Sequence, residues 1–234
     1  MTRALPCAAA ALVLSLGSVA RMDAQSTDGT ATSNIVFSTV PAILVTVDGD
    51  PILRDVAGTN LQRVVNTKAL ILRDEADVYY LKILDGWMQA YALGSWWEVC
   101  DAPPRGAGIA LRQATTGSSV DLLTSSTMPS LGSRRSLNEG DPPEVYVSTS
   151  PAILVVTNGP LQFATVPGTA LEYATNTSAH VFKEPTDSEL YLSTSNGWYR
   201  SWRTGGPWQT IGSDDLPRDI AQLPSGLLRP AGGV

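Results

Sequence analysis

The chain is short of the residues that do chemistry. Its 234 residues include one histidine, His180, and two cysteines, Cys7 and Cys100. No C-x-x-C, H-E-x-x-H or G-x-S-x-G string occurs, so the patterns that carry zinc sites, metalloproteases and α/β-hydrolases are missing. The phosphate-cradling strings G-x-x-x-x-G-K-[ST] and G-x-G-x-x-G are missing too, as is the D-x-D-x-D-G pattern of a calcium loop. Positive charge is scarce: 16 Lys and Arg face 22 Asp and Glu, for a net charge of −6. Such a surface repels phosphate backbones and argues against a nucleic-acid partner. No apolar run after the N-terminus is long enough to cross a bilayer. With these absences the sequence predicts no cofactor, no metal and no enzyme.

The N-terminus has a pattern of its own. Arg3 precedes the apolar stretch "ALPCAAAALVLSL" at 4–16, and small residues follow, with Ser18 and Ala20 spaced for one cleavage and Ala24 for another. This reads as a signal peptide over 1–24 and predicts an exported protein, periplasmic or extracellular, without a transmembrane segment once the signal is removed. Removal leaves 14 basic against 21 acidic residues, or −7, and leaves Cys100 alone, so an internal disulfide is excluded. Residues 25–34, "QSTDGTATSN", are expected to be disordered.

What is present is repetition. "STVPAILVTVDGD" at 38–50 matches "STSPAILVVTNGP" at 148–160; "VAGTNL" at 56–61 matches "VPGTAL" at 166–171; Asn66-Thr67 matches Asn176-Thr177. All share an offset of 110. "YLKILDGW" at 80–87 matches "YLSTSNGW" at 191–198, and Trp97 matches Trp208, at an offset of 111. One residue inserted within 183–189 reconciles the two offsets. The chain therefore holds two copies of one unit, at 35–103 and about 144–216.

Each copy reads as sheet. Asp48-Gly49, Asn158-Gly159, Asp85-Gly86 and Asn196-Gly197 are hairpin signals, because Asp-Gly and Asn-Gly reach positive φ at little cost. A third turn is marked by Gly94-Ser95 and Gly205-Gly206. Between turns lie runs rich in Val, Ile, Leu, Thr, Tyr and Trp. Pro41 and Pro151 open their strands, where a missing N–H costs little. The prediction is all-β: two tandem antiparallel meander units of six to seven strands, each a small barrel or a sandwich. In the linker, 104–143, "GAGIALRQATTGSSVDLL" at 106–123 is compatible with a helix or two short ones, and the Ser/Gly/Pro-rich "TSSTMPSLGSRRSLNEGDPP" that follows is expected to be mobile. Near the C-terminus "DDLPRDIAQLP" predicts one helical turn started by Asp215, with Pro217 near N1, within a last segment, 217–234, that ends as a tail.

Three tryptophans fall within "NGWYRSWRTGGPW" at 196–208. On a strand Trp198, Arg200 and Trp202 share one face, with Tyr199 and Ser201 on the other. The first copy places Trp87, Gln89 and Tyr91 in the same slots. Flat rings flanking a hydrogen-bonding side chain make a stacking platform for sugars or extended peptide. The candidate ligand-binding residues are Trp198, Tyr199, Arg200, Trp202, Trp208, Trp87 and Trp97. The competing reading buries these rings, because a unit of about 70 residues needs large apolar area to fold. Catalytic candidates are weak. His180 stands where the first copy has Leu70, and Cys100 where the second has Ile211, so both slots read as packing. "DEAD" at 74–77 reads as a loop. Only a hydrolase with two carboxylates survives as a chemical alternative.

The strings "STSPAILVVTNGPLQFATVPGTALEYATNTSAHVF" and "YLSTSNGWYRSWRTGGPWQTIGSDDLPRDIAQLP" resemble those of exported bacterial repeat proteins labelled carbohydrate-binding family V/XII. The resemblance covers 35–103 and 145–222 and is stronger in the second unit. The first unit departs from it at "GSWWEVC", where the family has Gly-Pro-Trp. The resemblance implies a repeat protein of the cell envelope with a glycan partner. The residues alone also leave open a structural role in which the aromatic face or a strand edge docks another envelope protein.

Overall fold

The computed structural model describes residues 32–117 and 120–223. The predicted signal peptide and the tail beyond 223 lie outside these residues.

Each repeat contains a six-stranded antiparallel meander. In unit 1 it runs β3 (Leu53–Asp55), β4 (Gln62–Val64), β5 (Ile71–Arg73), β6 (Tyr79–Ile83), β7 (Gly86–Ala90) and β8 (Glu98–Val99), each strand paired to the next. Before it stand β1 (Thr32–Ser38) and β2 (Ala42–Thr46). In unit 2, β9 (Glu144–Ser148) and β10 (Ala152–Val156) precede the meander β11 (Phe163–Thr165), β12 (Glu172–Ala174), β13 (His180–Lys183), β14 (Leu190–Thr194), β15 (Gly197–Ser201) and β16 (Trp208–Ile211). Neither sheet closes: both are open, so the barrel alternative gives way to open sheets with distinct edges. The 25–34 stretch is corrected at its end, since 32–34 already belong to β1.

The leading strands are exchanged. β1, the first strand of repeat 1, pairs in parallel with β10 of repeat 2, from Asn34↔Ala152 to Ser38↔Val156. Its first two residues also pair with β16, Thr32↔Gln209 and Ser33↔Trp208. β9, the first strand of repeat 2, pairs in parallel with β2, from Ala42↔Glu144 to Thr46↔Ser148. The two parallel ladders are the same ladder seen from either repeat: shifting Asn34↔Ala152 by 110 in opposite senses gives Glu144↔Ala42. The chain crosses between units at 39–41 and 149–151, which is what the repeated S-T-x-P string encodes. Ser38 Oγ donates to Val40 O at 2.9 Å and Ser148 Oγ to Ser150 O at 2.8 Å, bending each crossing.

The other repeated polar residues also bracket turns. Asn66 Nδ2 donates to Asp48 O and Asp50 O while its Oδ1 accepts from Ile52 N. Asn176 does the same for Asn158 O, Pro160 O and Gln162 N. Thr67 Oγ1 and Thr177 Oγ1 donate to Thr46 O and Val156 O, both at 2.7 Å. Asp48-Gly49 and Asn158-Gly159 therefore do not make hairpins as predicted. Gly49 and Gly159 take φ of 73° and 74°, but each sits in a loop carrying the chain from the parallel ladder into the meander, held by the asparagine bracket. The Asp85-Gly86 and Asn196-Gly197 hairpins exist one residue earlier than predicted. Ile83 pairs with Gly86 and Thr194 with Gly197, so Leu84-Asp85 and Ser195-Asn196 form the turns. The single insertion is in the β13–β14 loop: Asp77 and its counterpart Ser188 share φ of 64°, which leaves the extra residue within 185–187.

Both faces of each meander are covered. In unit 1 one face packs Ile71, Leu81, Met88 and Trp97 under Ile43, Val45 and Val145 of the parallel ladder. The other packs Leu70, Leu72, Tyr80 and Trp87 under α1 (Ala107–Gly117), whose Ala107, Ala110 and Ala114 are buried. Small residues let that helix lie close: a Cβ on Gly106 would come within 2.7 Å of Thr59 Cγ2. The segment predicted to be a mobile linker is packed. Leu123, Leu131 and Leu137 are buried in the unit 1 core, and Leu137 N donates to Asp85 Oδ1 at 3.0 Å. Its leucines recur too irregularly for sequence periodicity to show this. In unit 2, Ile35, Val155, Val181, Leu192, Tyr199 and Trp208 form one core, while Phe182, Tyr191, Ile220 and Leu223 form the other. Ile220 belongs to the short 3-10 helix Arg218–Gln222, whose N-cap is Pro217 and not Asp215, because Asp215 already ends the separate 3-10 helix Ser213–Asp215.

Candidate functional site

The structure separates the aromatic residues that the sequence groups. Trp208 is fully buried and Tyr199 is buried with it. Trp97 is buried at the matching place in unit 1. Both indoles also serve their turns: Trp97 Nε1 donates to Leu93 O at 3.2 Å and Trp208 Nε1 to Thr204 O at 3.0 Å. Trp87 is buried beneath α1. Trp198 is partly buried on the equivalent face, its ring 5.9 Å from that of Phe182. Arg200 is half-buried, with Nε 3.8 Å from Glu189 Oε1, and Glu189 Oε2 also accepts from Tyr191 OH at 2.6 Å. Burial and that carboxylate push the Tyr191 hydroxyl far up. Trp202 stands apart, 68% exposed. It lies one residue beyond β15, where Ser201 Oγ donates to Arg203 O and the chain turns. Trp198, Arg200 and Trp202 therefore do not form one continuous exposed face.

The large exposed rings are Trp202, its counterpart Tyr91 at 79%, and Trp96 at 73%. Tyr91 and Trp96 sit on the same β7–β8 turn, and Trp96 borders a recess of about 220 Å³. One wall is Gly94, Ser95, Trp96 and Trp97; the other is Glu144, Val145, Tyr146 and Val147 of β9. The polar part of that wall is preset. Glu144 Oε2 accepts from Tyr146 OH at 2.6 Å and from Ser38 Oγ at 2.9 Å. Burial and the adjacent carboxylate push the Tyr146 hydroxyl up, so it stays a donor and holds Glu144 in place.

The two repeats differ along both walls of the recess, and three of the differences bear on its opening. In unit 2 the matching walls are 205–208 and Asn34–Phe37, and there the Phe37 ring stacks on Trp208, centroids 5.5 Å apart and planes 10° from parallel. Val147 occupies the Phe37 slot in unit 1. Thr32 and Ser33, which join β1 to β16, are replaced by Pro142 and Pro143. Proline has no N–H to donate, and β9 makes no ladder with β8. The sheet that is continuous through β10–β1–β16 in unit 2 is thus open between β9 and β8 in unit 1. Of the predicted residues only Trp97 reaches this recess; Trp96, Glu144 and Tyr146 were not in the predicted site. The usable signal was the departure from the repeat, Val for Phe and Pro-Pro for Thr-Ser.

The lining contains a single carboxylate, Glu144, where glycoside hydrolysis uses a pair. Among the described residues no three His, Cys, Asp or Glu gather in a metal-binding arrangement, and no helix is long and apolar enough to cross a membrane. No family model matches the chain, and searches of curated proteins and of solved structures likewise find no match.

Proposed function

We propose that the protein is an exported, non-enzymatic binding module of the cell envelope, and that it holds a glycan at the recess between the β7–β8 turn and β9. One observation carries this reading: an exposed indole, Trp96, stands at the rim of a recess whose opposite wall presents a fixed carboxylate, Glu144. Sugars offer an apolar C–H face to a ring and hydroxyl donors to an acceptor, and both halves of that pairing are present. A glycan array with wild type, Trp96→Ala and Trp202→Ala, followed by pull-down on peptidoglycan and chitin, tests it. Binding should be lost with Trp96→Ala and kept with Trp202→Ala. An array without hits, or binding that depends on Trp202 and ignores Trp96, refutes it.

A second reading, docking of another envelope protein, is favoured by the ladder edge of β9 that borders the recess, since β9 pairs only with β2. A co-purifying protein lost on Trp96→Ala, together with an empty array, would select it.

A further inference from the structure

Unit 2 shows what unit 1 leaves out. At equivalent positions of the two repeats, one holds a six-membered ring packed between a strand and a turn, and the other holds a recess of about 220 Å³. We infer that this recess is a socket for a single neutral sugar ring, seated between the exposed Trp96 and β9 at the place in the repeat where unit 2 carries Phe37. The inference rests on the glycan reading above and specifies the unit of ligand that the site accepts.

The size supports one ring and not a chain. Sites that enclose drug-sized ligands run from about 300 to 1,000 Å³, and this one is smaller. The lining supports a ring with two different faces. Val145 and Val147 are apolar, and Trp97, only 3% exposed, adds little surface to the lining. Trp96 stands free at the rim, while Glu144 and Ser95 supply polar atoms. A purely apolar ring would leave the Glu144 carboxylate without a partner from the ligand. The charge excludes acidic sugars: a carboxylate in the wall of a chain with net charge −6 disfavours an anion. Because Trp97 shows so little surface, contact with the ring is limited and affinity for a lone sugar is low. At the usual yield per non-hydrogen atom, a ligand of about a dozen atoms binds with Kd on the order of 1–10 mM. Tight binding then requires several copies of the ligand or of the protein on one surface.

The repeat itself supplies the decisive variant. Val147→Phe puts into unit 1 the ring that unit 2 already carries, so it keeps an apolar side chain in that wall but narrows the socket. Methyl β-D-glucopyranoside, methyl N-acetyl-β-D-glucosaminide and benzyl alcohol are titrated into ¹⁵N-labelled protein, with the indole N–H signals of Trp96 and Trp97 followed by NMR. The two glycosides should shift both signals in wild type. Val147→Phe should weaken them at least tenfold while its melting temperature does not fall. Glu144→Gln, which keeps shape and loses charge, should weaken the glycosides severalfold and provides the test if Val147→Phe misfolds. Array binding that depends on Trp96 but ignores both substitutions overturns the socket and leaves the glycan reading standing. An array without hits removes both. Benzyl alcohol binding where the glycosides do not overturns the sugar assignment in favour of an aromatic side chain from a protein partner.

Discussion

Replacing Phe37 by alanine tests the strand exchange directly, because residue 37 belongs to repeat 1 by sequence and to unit 2 by packing. Its ring stacks on the fully buried Trp208 and packs with the cluster of Ile35, Val155 and Leu192. Truncating a buried phenylalanine costs about 3–5 kcal/mol, of which an aromatic pair accounts for roughly 0.5–1.5. Phe37 is only partly buried, so the low end, about 3 kcal/mol, applies. For a protein of this size that lowers the melting temperature by about 6–12 °C. The location of the loss is more diagnostic than its size. Native-state hydrogen exchange should show amides of β10 and β16 exchanging roughly a hundredfold faster, since about 1.4 kcal/mol is a factor of ten. Amides of β3–β8 should stay near wild-type protection. If the meander of unit 1 loosens first, or both units loosen equally, β1 is not a member of the unit 2 sheet and the reasoning fails.

Two further predictions follow from the cores. Tyr80 is buried, and its hydroxyl donates to Asp74 Oδ2 at 3.0 Å; burial first, then that bond and the negative charge, pushes its pKa up to about 12. The folded state holds the neutral phenol, so this stabilisation is complete below the ordinary value near 10 and disappears as pH rises from 10 through about 12. Phenolate absorbance should show a late step near pH 12 that Tyr80→Phe removes; a tyrosine titration complete by pH 10.5 contradicts the assignment. Leu131→Ala should destabilise unit 1 by about 3 kcal/mol, because Leu131 is buried in the core with Leu123 and Leu137. Chemical denaturation measures the loss, and a change below about 0.5 kcal/mol would mean that this segment is not part of the core.

Much of the architecture is readable before any coordinates. The 110-residue offset identifies two units, and the Val/Ile/Leu runs between turns identify their strands, because side-chain alternation is a local property. The single insertion is also readable, as it sits in one loop. Partner choice is not local. Nothing in "NIVFS" or "EVYVS" states that each strand joins the ladder of the other repeat, since both ladders carry the same pattern. The Asp48-Gly49 turn is misread for the same reason: the residues do adopt the expected backbone, but the strand before them is paired elsewhere. The rings are misgrouped because alternation holds only while a strand lasts, and β15 ends at Ser201, before Trp202. The recess is legible only by subtraction. It comes from what repeat 1 holds and repeat 2 lacks at positions 32, 33 and 37, and residues that fill a gap in one copy attract no notice when a single copy is read.

The exchanged strand also dictates when the molecule can be completed. Ser33 must wait for Trp208, and Asn34 for Ala152. A ribosome delivers the chain from its N-terminal side, so β1, the first of the described strands to emerge, must wait for partners made much later. The 42–148 stretch can settle first. Residues 34–38 must stay unpaired until β10 has emerged, and Thr32 and Ser33 until the last strand of the second meander gives them a place to lie.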